Sequence, residues 1–174
     1  MMTPTRRSAV VAVVFGLLMT SLWAAATGAA DSADGNAAGT LTVNGKTTKV
    51  AFAYARSVPG FFDKNTNDTQ VIVSDVPLDA AALADEFVRI DMAKQGKLHA
   101  FEIVIDATGT PISTAWRHDG FKGPMPSGLN SDDVFTKKAF DGKVVEGSYK
   151  SAADEEFFDN TYAFDVTFRA AVAH

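Results

Sequence analysis

The chain contains no cysteine, so disulfides, thiolate nucleophiles, cysteine-ligated metals and lipid-modified cysteines are all excluded. It holds only three histidines, His99, His118 and His174, and none stands in HxH or HExxH spacing. No GxSxG elbow, phosphate-cradling loop or dinucleotide fingerprint occurs, and Pro126-Ser127-Gly128 reads as loop punctuation. No residue is therefore predicted to be catalytic, and no organic cofactor is expected. Positive charge is also scarce, with 16 basic residues against 21 acidic ones and no basic patch. That balance excludes nucleic acid as a partner and opposes docking on an anionic membrane.

Long apolar runs are absent except for one. Arg6 and Arg7 precede a stretch from Ala9 to Ala26, small residues carry it to Ala30, and the first acidic residue is Asp31. A basic start, an apolar middle and a small-residue exit predict a signal peptide over residues 1–30, cleaved after Ala30 or, as the second choice, after Ala26. The competing reading is an uncleaved anchor, because the run is nearly long enough to span a bilayer. Arg6-Arg7 also fits a twin-arginine signal. Cleavage after Ala30 leaves 14 basic against 21 acidic residues, a net charge of −7. The expected product is a secreted or periplasmic protein with no stable membrane insertion. The alanine-rich leader and missing cysteines fit the bacterial envelope or secreted fraction.

The 144 residues that remain suffice for one domain with a sizeable core. Residues 31–39 are small and polar and are expected to form a flexible leader, with structure beginning at Thr40. Asn44-Gly45 and Asp141-Gly142 are hairpin signals between alternating segments. Lys46 to Arg56 reads as one strand, with Val50, Phe52 and Tyr54 on one face. Gln70 to Ser74 reads as a central strand. The Asp141-Gly142 hairpin sets Lys137 against Glu146. Tyr162, Phe164, Val166 and Phe168 alternate with polar residues in the last strand. Pro77 to Gln95 is the one helical segment, with Leu83, Phe87 and Ile90 sharing a face, Asp79 as cap and Gly96 as stop. Asp85-Glu86 can restart it and so divide it into two short helices. The domain, residues 40–174, is thus predicted to be mainly β. It is an antiparallel β-sandwich or a curved barrel-like sheet of about eight strands, with one helical insertion.

Leu98 to Asp106 and Ile112 to His118 form a further hairpin. Matching their apolar faces pairs Ile105 with Ile112, Ile103 with Thr114, Phe101 with Trp116 and His99 with His118. A three-residue loop with a glycine bulge is the alternative turn. In the matched register the two imidazoles are cross-strand neighbours beside Asp119, and His99, His118 and Asp119 become candidate ligands for a divalent metal. The competing reading leaves both histidines as ordinary half-buried polar residues.

Asp63 to Asp68 resembles the start of a calcium loop but lacks its glycine and its closing glutamate, so an Asx-rich turn is the simpler expectation. Phe61-Phe62-Asp63 and Phe157-Phe158-Asp159 repeat a motif in turn-like settings. Phe61, Phe62, Phe157 and Phe158 are candidate ligand-binding aromatics for an unknown protein or small ligand, and core plugs otherwise. The acidic groups Asp132-Asp133 and Asp154-Glu155-Glu156 read as solvated surface.

These features predict an exported, non-enzymatic binding or interaction module. The alternatives are a small metal-dependent or acid–base extracellular enzyme using His99 and His118, and an inhibitor presenting the Gly120–Ser131 loop to an extracellular enzyme.

Overall fold

The computed structural model describes residues 35–174; the expected signal peptide and its cleavage positions lie outside the described residues. The first element, β1 (Gly35–Val43), starts inside the segment expected to be a flexible leader. Its backbone is recruited by β-pairing along residues 36–43 against residues 162–169, so poor side-chain content does not leave it free. Asn44 and Gly45, both with positive φ, turn the chain into β2 (Lys46–Lys49), as the hairpin signal requires.

The single strand expected over Lys46 to Arg56 is broken. β2 ends at Lys49, and β3 (Phe52–Pro59) leaves it to pair with β4 (Asn67–Ser74). Across that break the face changes. Val50 packs with Ala53 and Ala55 inside the curled sheet, whereas Phe52 and Tyr54 face outward under the helices. Strand β4 lies between β3 and β5 (Ala100–Ile105), the central position its apolar run implied.

Two short helices stand between β4 and β5. In α1 (Ala80–Ala84) the Asp79 carboxylate accepts from Ala82 N–H. In α2 (Glu86–Lys94) Asp85 caps in the same way by accepting from Phe87 N–H. Asp85 is extended (φ −122°, ψ 120°), which resets the helical phase. Phe87 consequently stands 68% exposed, and the face turned to the sheet is Val88, Arg89, Met92 and Ala93 instead.

The next hairpin joins β5 to β6 (Pro111–Arg117). Phe101 pairs with Trp116 and Ile103 with Thr114, as expected, but a bulge between Val104 and Ile105 sets Ile105 against Pro111 and not Ile112. The turn is held by Asp106, whose carboxylate accepts from Thr108 and Thr110 N–H. Beyond come β7 (Ser127–Gly128), β8 (Val134–Phe140), β9 (Val144–Lys150), β10 (Glu155–Phe157) and β11 (Asn160–Ala173). A second bulge in β8 sets Ala139, not Lys137, opposite Glu146, and Glu146 instead forms an ion pair with Arg169 on β11.

All eleven strands belong to one curled, mostly antiparallel sheet, nine in the order β7-β6-β5-β4-β3-β1-β11-β9-β8 with β2 added on β1 and β10 on β11, a half-barrel rather than a sandwich. Tyr162, Phe164, Val166 and Phe168 of β11 point inward, as their alternation predicted. Phe101 and Phe164 (ring centroids 4.3 Å apart) and Trp116 and Tyr162 (5.3 Å) bring the β5–β6 wing against β11. Each such contact contributes about 0.5–1.5 kcal/mol beyond buried area, and together they hold the curl. Among the described residues, no helix is long and apolar enough to cross a membrane.

Candidate functional site

His99 immediately precedes β5 and His118 immediately follows β6, so the register that pairs Phe101 with Trp116 also brings the two imidazoles together. Their ring centroids are 4.4 Å apart, with the planes tilted by 53°. One ligand atom from each of His99, His118 and Asp119 lies within 4.8 Å of the other two. The expected trio is therefore assembled in space.

Three further residues complete the cluster, and nothing local marks them in the sequence. Asp75, just after β4, accepts from the His99 backbone N–H (2.8 Å) and holds His99 Nδ1 at 2.6 Å. Lys46, at the start of β2, donates to both Asp119 oxygens at 2.8 and 2.9 Å. Thr48 Oγ1 lies 3.3 Å from His118 Nε2. His99 Nε2 in turn lies 2.9 Å from Asp119 Oδ1, so the His99 ring is bracketed by two carboxylates. The Asp75 hydrogen bond, aided by Asp119 and opposed by burial, raises the His99 pKa. Burial acts to raise Asp75, but its bonds to His99 outweigh this and hold it low. The Lys46 ammonium, against a smaller effect of burial and with help from His99, lowers Asp119.

His118 behaves oppositely. It is fully buried, and burial together with the adjacent His99 charge pushes its pKa down to about 4. Its Nδ1 accepts the Gly120 N–H at 2.9 Å, so at neutral pH the proton sits on Nε2, facing Thr48. Each imidazole thus has its far nitrogen held by an outer partner, Asp75 or Thr48. The nitrogens facing Asp119 are His99 Nε2 and His118 Nδ1, the latter already accepting from the Gly120 N–H. This is the arrangement that orients histidine ligands around a metal.

The aromatic candidates are not gathered into one surface. Phe61 and Phe62 are 68% and 78% exposed and meet edge to face in the β3–β4 loop. Phe158 is 75% exposed at the β10–β11 turn, with positive φ, while Phe157 is half-buried and lines a cleft with Trp116 and Tyr162. Strand β11 begins beside the Phe158 turn and ends alongside Ala55 and Arg56 of β3, so its full length separates the pairs. Asp63 and Asp68 accept from backbone N–H groups of their own loop, at Asn65 and Phe61, as an Asx-rich turn does.

The Asp133 and Glu155 carboxyls, expected on solvated surface, line the same cleft as Phe157. Asp133 Oδ1 and Glu155 Oε1 are buried without hydrogen-bond partners among the described residues. Burial, then the Glu155 charge, raises Asp133 to about 6. The folded state therefore holds a proton there that the unfolded chain releases nearer pH 4, and stability falls as pH rises from about 4 to about 6. Replacing Asp133 with asparagine is expected to stabilise the protein by roughly 1 kcal/mol at pH 7, after discounting for partial exposure. It should also flatten that part of the pH profile. Urea unfolding at pH 4.5 and pH 7 checks this, and an unchanged difference between the two pH values would count against the assignment.

The chain matches no family model, and comparison with curated proteins and with solved structures finds no significant similarity.

Proposed function

We propose that the protein is an exported binding module whose ligand is a divalent transition metal of the zinc class, held by His99, His118 and Asp119. One observation carries the reading: a ligand atom from each of these residues lies within 4.8 Å of the other two. Two imidazoles and a carboxylate suit such an ion, and water can complete a four-coordinate shell. His118 is already neutral at neutral pH, so engaging Nδ1 costs no proton, only the hydrogen bond it accepts from the Gly120 N–H. His99 must release the proton on Nε2, and the metal replaces the Lys46 ammonium as the positive charge beside Asp119. Asp75 and Thr48 then keep the rings oriented as outer partners. Export is supported by the leader of basic, apolar and small residues.

Zinc is expected to raise the thermal unfolding midpoint relative to EDTA, equivalent to about 2.7 kcal/mol at one hundred times the dissociation constant. The shift should vanish in a His99→Ala/His118→Ala double variant and weaken as pH falls, because protons compete for His99 Nε2. Lys46→Met, which removes the competing cation at an exposed position, should tighten zinc. A wild-type protein whose midpoint does not respond to zinc, or a Lys46→Met variant that binds it no better, would defeat the proposal.

A further inference from the structure

On the outer face of the sheet a cleft of about 250 Å³ runs between α1, the middle of β3 and β4, and the C-terminal end of β11. Its walls are apolar: Tyr54 and Ile72 form the floor, Leu83 and Ala84 one side, and Ala171 the other. At one end stands Arg56. Its Nε donates to Gln70 Oε1 (2.7 Å) and its Nη1 to the Ala84 carbonyl (3.3 Å), while Nη2 has no partner among the described residues.

The four described arginines are not equivalent. Arg89 and Arg117 both lie against Glu102, and Arg169 pairs with Glu146. Arg56 alone among the described arginines has no carboxylate. Its neighbourhood is already short of negative charge, because Glu102 serves two guanidiniums and also accepts from Gln70. Burial, then the Arg89 charge, lowers the Arg56 pKa, and the more distant Glu102 charge only partly offsets them. A chain with net charge −5 therefore keeps a guanidinium with no direct carboxylate partner beside an apolar groove.

We propose that this cleft binds a free medium-chain aliphatic carboxylate, its head on Arg56 and its tail along the groove between α1 and the sheet. A guanidinium edge is the geometry that recognises a carboxylate. The volume lies near the lower limit for small-molecule sites and suits one short alkyl chain, not a sterol or a two-chain lipid. Alanine at positions 80, 84, 171 and 173 is what keeps the groove open. The inference is independent of the metal reading, since no residue is shared.

The test is calorimetric titration of the full chain, freed of its leader if cleaved, with octanoate, octanol and octylamine. Octanoate is expected to bind saturably at one site, octanol at least about tenfold more weakly, and octylamine not at all. Arg56→Gln should weaken octanoate by about tenfold or more, the scale of a charge-assisted hydrogen bond. Ala171→Phe fills the groove from an exposed strand position that tolerates an aromatic ring, and should abolish binding while leaving the unfolding midpoint intact. Equal binding of octanol or octylamine, or an unaffected Arg56→Gln variant, would overturn the proposal. So would concentration-dependent dimerisation blocked by Ala171→Phe, because a second copy would then cover the groove.

Discussion

Glu102→Ala is expected to destabilise the protein by roughly 3–5 kcal/mol, the range for removing one partner from a buried ion pair. Glu102 is 3% exposed and Arg89 is fully buried. Their contact is bidentate, Nε to Oε1 and Nη2 to Oε2, both at 2.9 Å. Arg89 Nη1 also donates to the Ala82 carbonyl at 2.6 Å, so this guanidinium holds α1, α2 and β5 together. Arg117 Nε adds a second positive charge 2.8 Å from the same carboxylate. Alanine would leave two arginines facing each other at the sheet–helix interface, with only the exposed Glu86 nearby. Against a typical total stability of about 5–15 kcal/mol, that is a large fraction. Glu102→Gln keeps one acceptor and should fall between wild type and alanine. Urea unfolding of the three proteins measures the ladder, and a cost below about 1 kcal/mol for alanine would show that the network is not structural. Because Gln70 bridges Glu102 to Arg56, the same substitution should also loosen the end of the apolar cleft.

Gly39→Ala should be at least as damaging, for a reason of backbone geometry. Gly39 has φ +119° and sits opposite Val166 where β1 crosses β11; an added Cβ would lie 2.0 Å from the Asp165 carbonyl oxygen. The obstacle is backbone, so no side-chain rotation relieves it. Gly45→Ala is the matched control: φ is +77°, and a Cβ there would meet nothing within 4 Å. The control should cost about 1–2 kcal/mol, the penalty of a left-handed residue. Gly39→Ala should add several kcal/mol to that, at the exceptional end of single substitutions. Equal midpoints for the two variants would refute the steric account. Because β1 carries β2 and hence Lys46 and Thr48, prising β1 from β11 should also impair zinc binding at the histidine site.

Much of this molecule is legible locally. The Asn44-Gly45 turn, the caps at Asp79 and Asp85, the central β4 strand and the alternation along β11 each depend on neighbours in sequence or on a single period. The pairing of His99 with His118 was also legible, because matching Phe101 to Trp116 sets the register for the whole hairpin. Exposure of Phe87 was not, since one extended residue at position 85 shifts the phase of everything after it. Nor could the chain alone show that it would bend at Val50 and Ala51 and send Val50 and Phe52 to opposite sides of the sheet.

The remainder belongs to the tertiary structure. Asp75, Lys46 and Thr48 reach His99, Asp119 and His118 respectively across 24, 73 and 70 residues of sequence separation. Asp133 and Glu155 turn from surface charges into a half-buried pair only when β10 folds onto β11 beside the cleft. Arg89 is buried only because Glu102, on the outward face of a largely apolar strand, waits beneath it. Short-range preferences are encoded in periods and turns that each segment carries by itself. The charge surrounding a group, and the water removed from it, depend on which distant strands the curled sheet brings alongside.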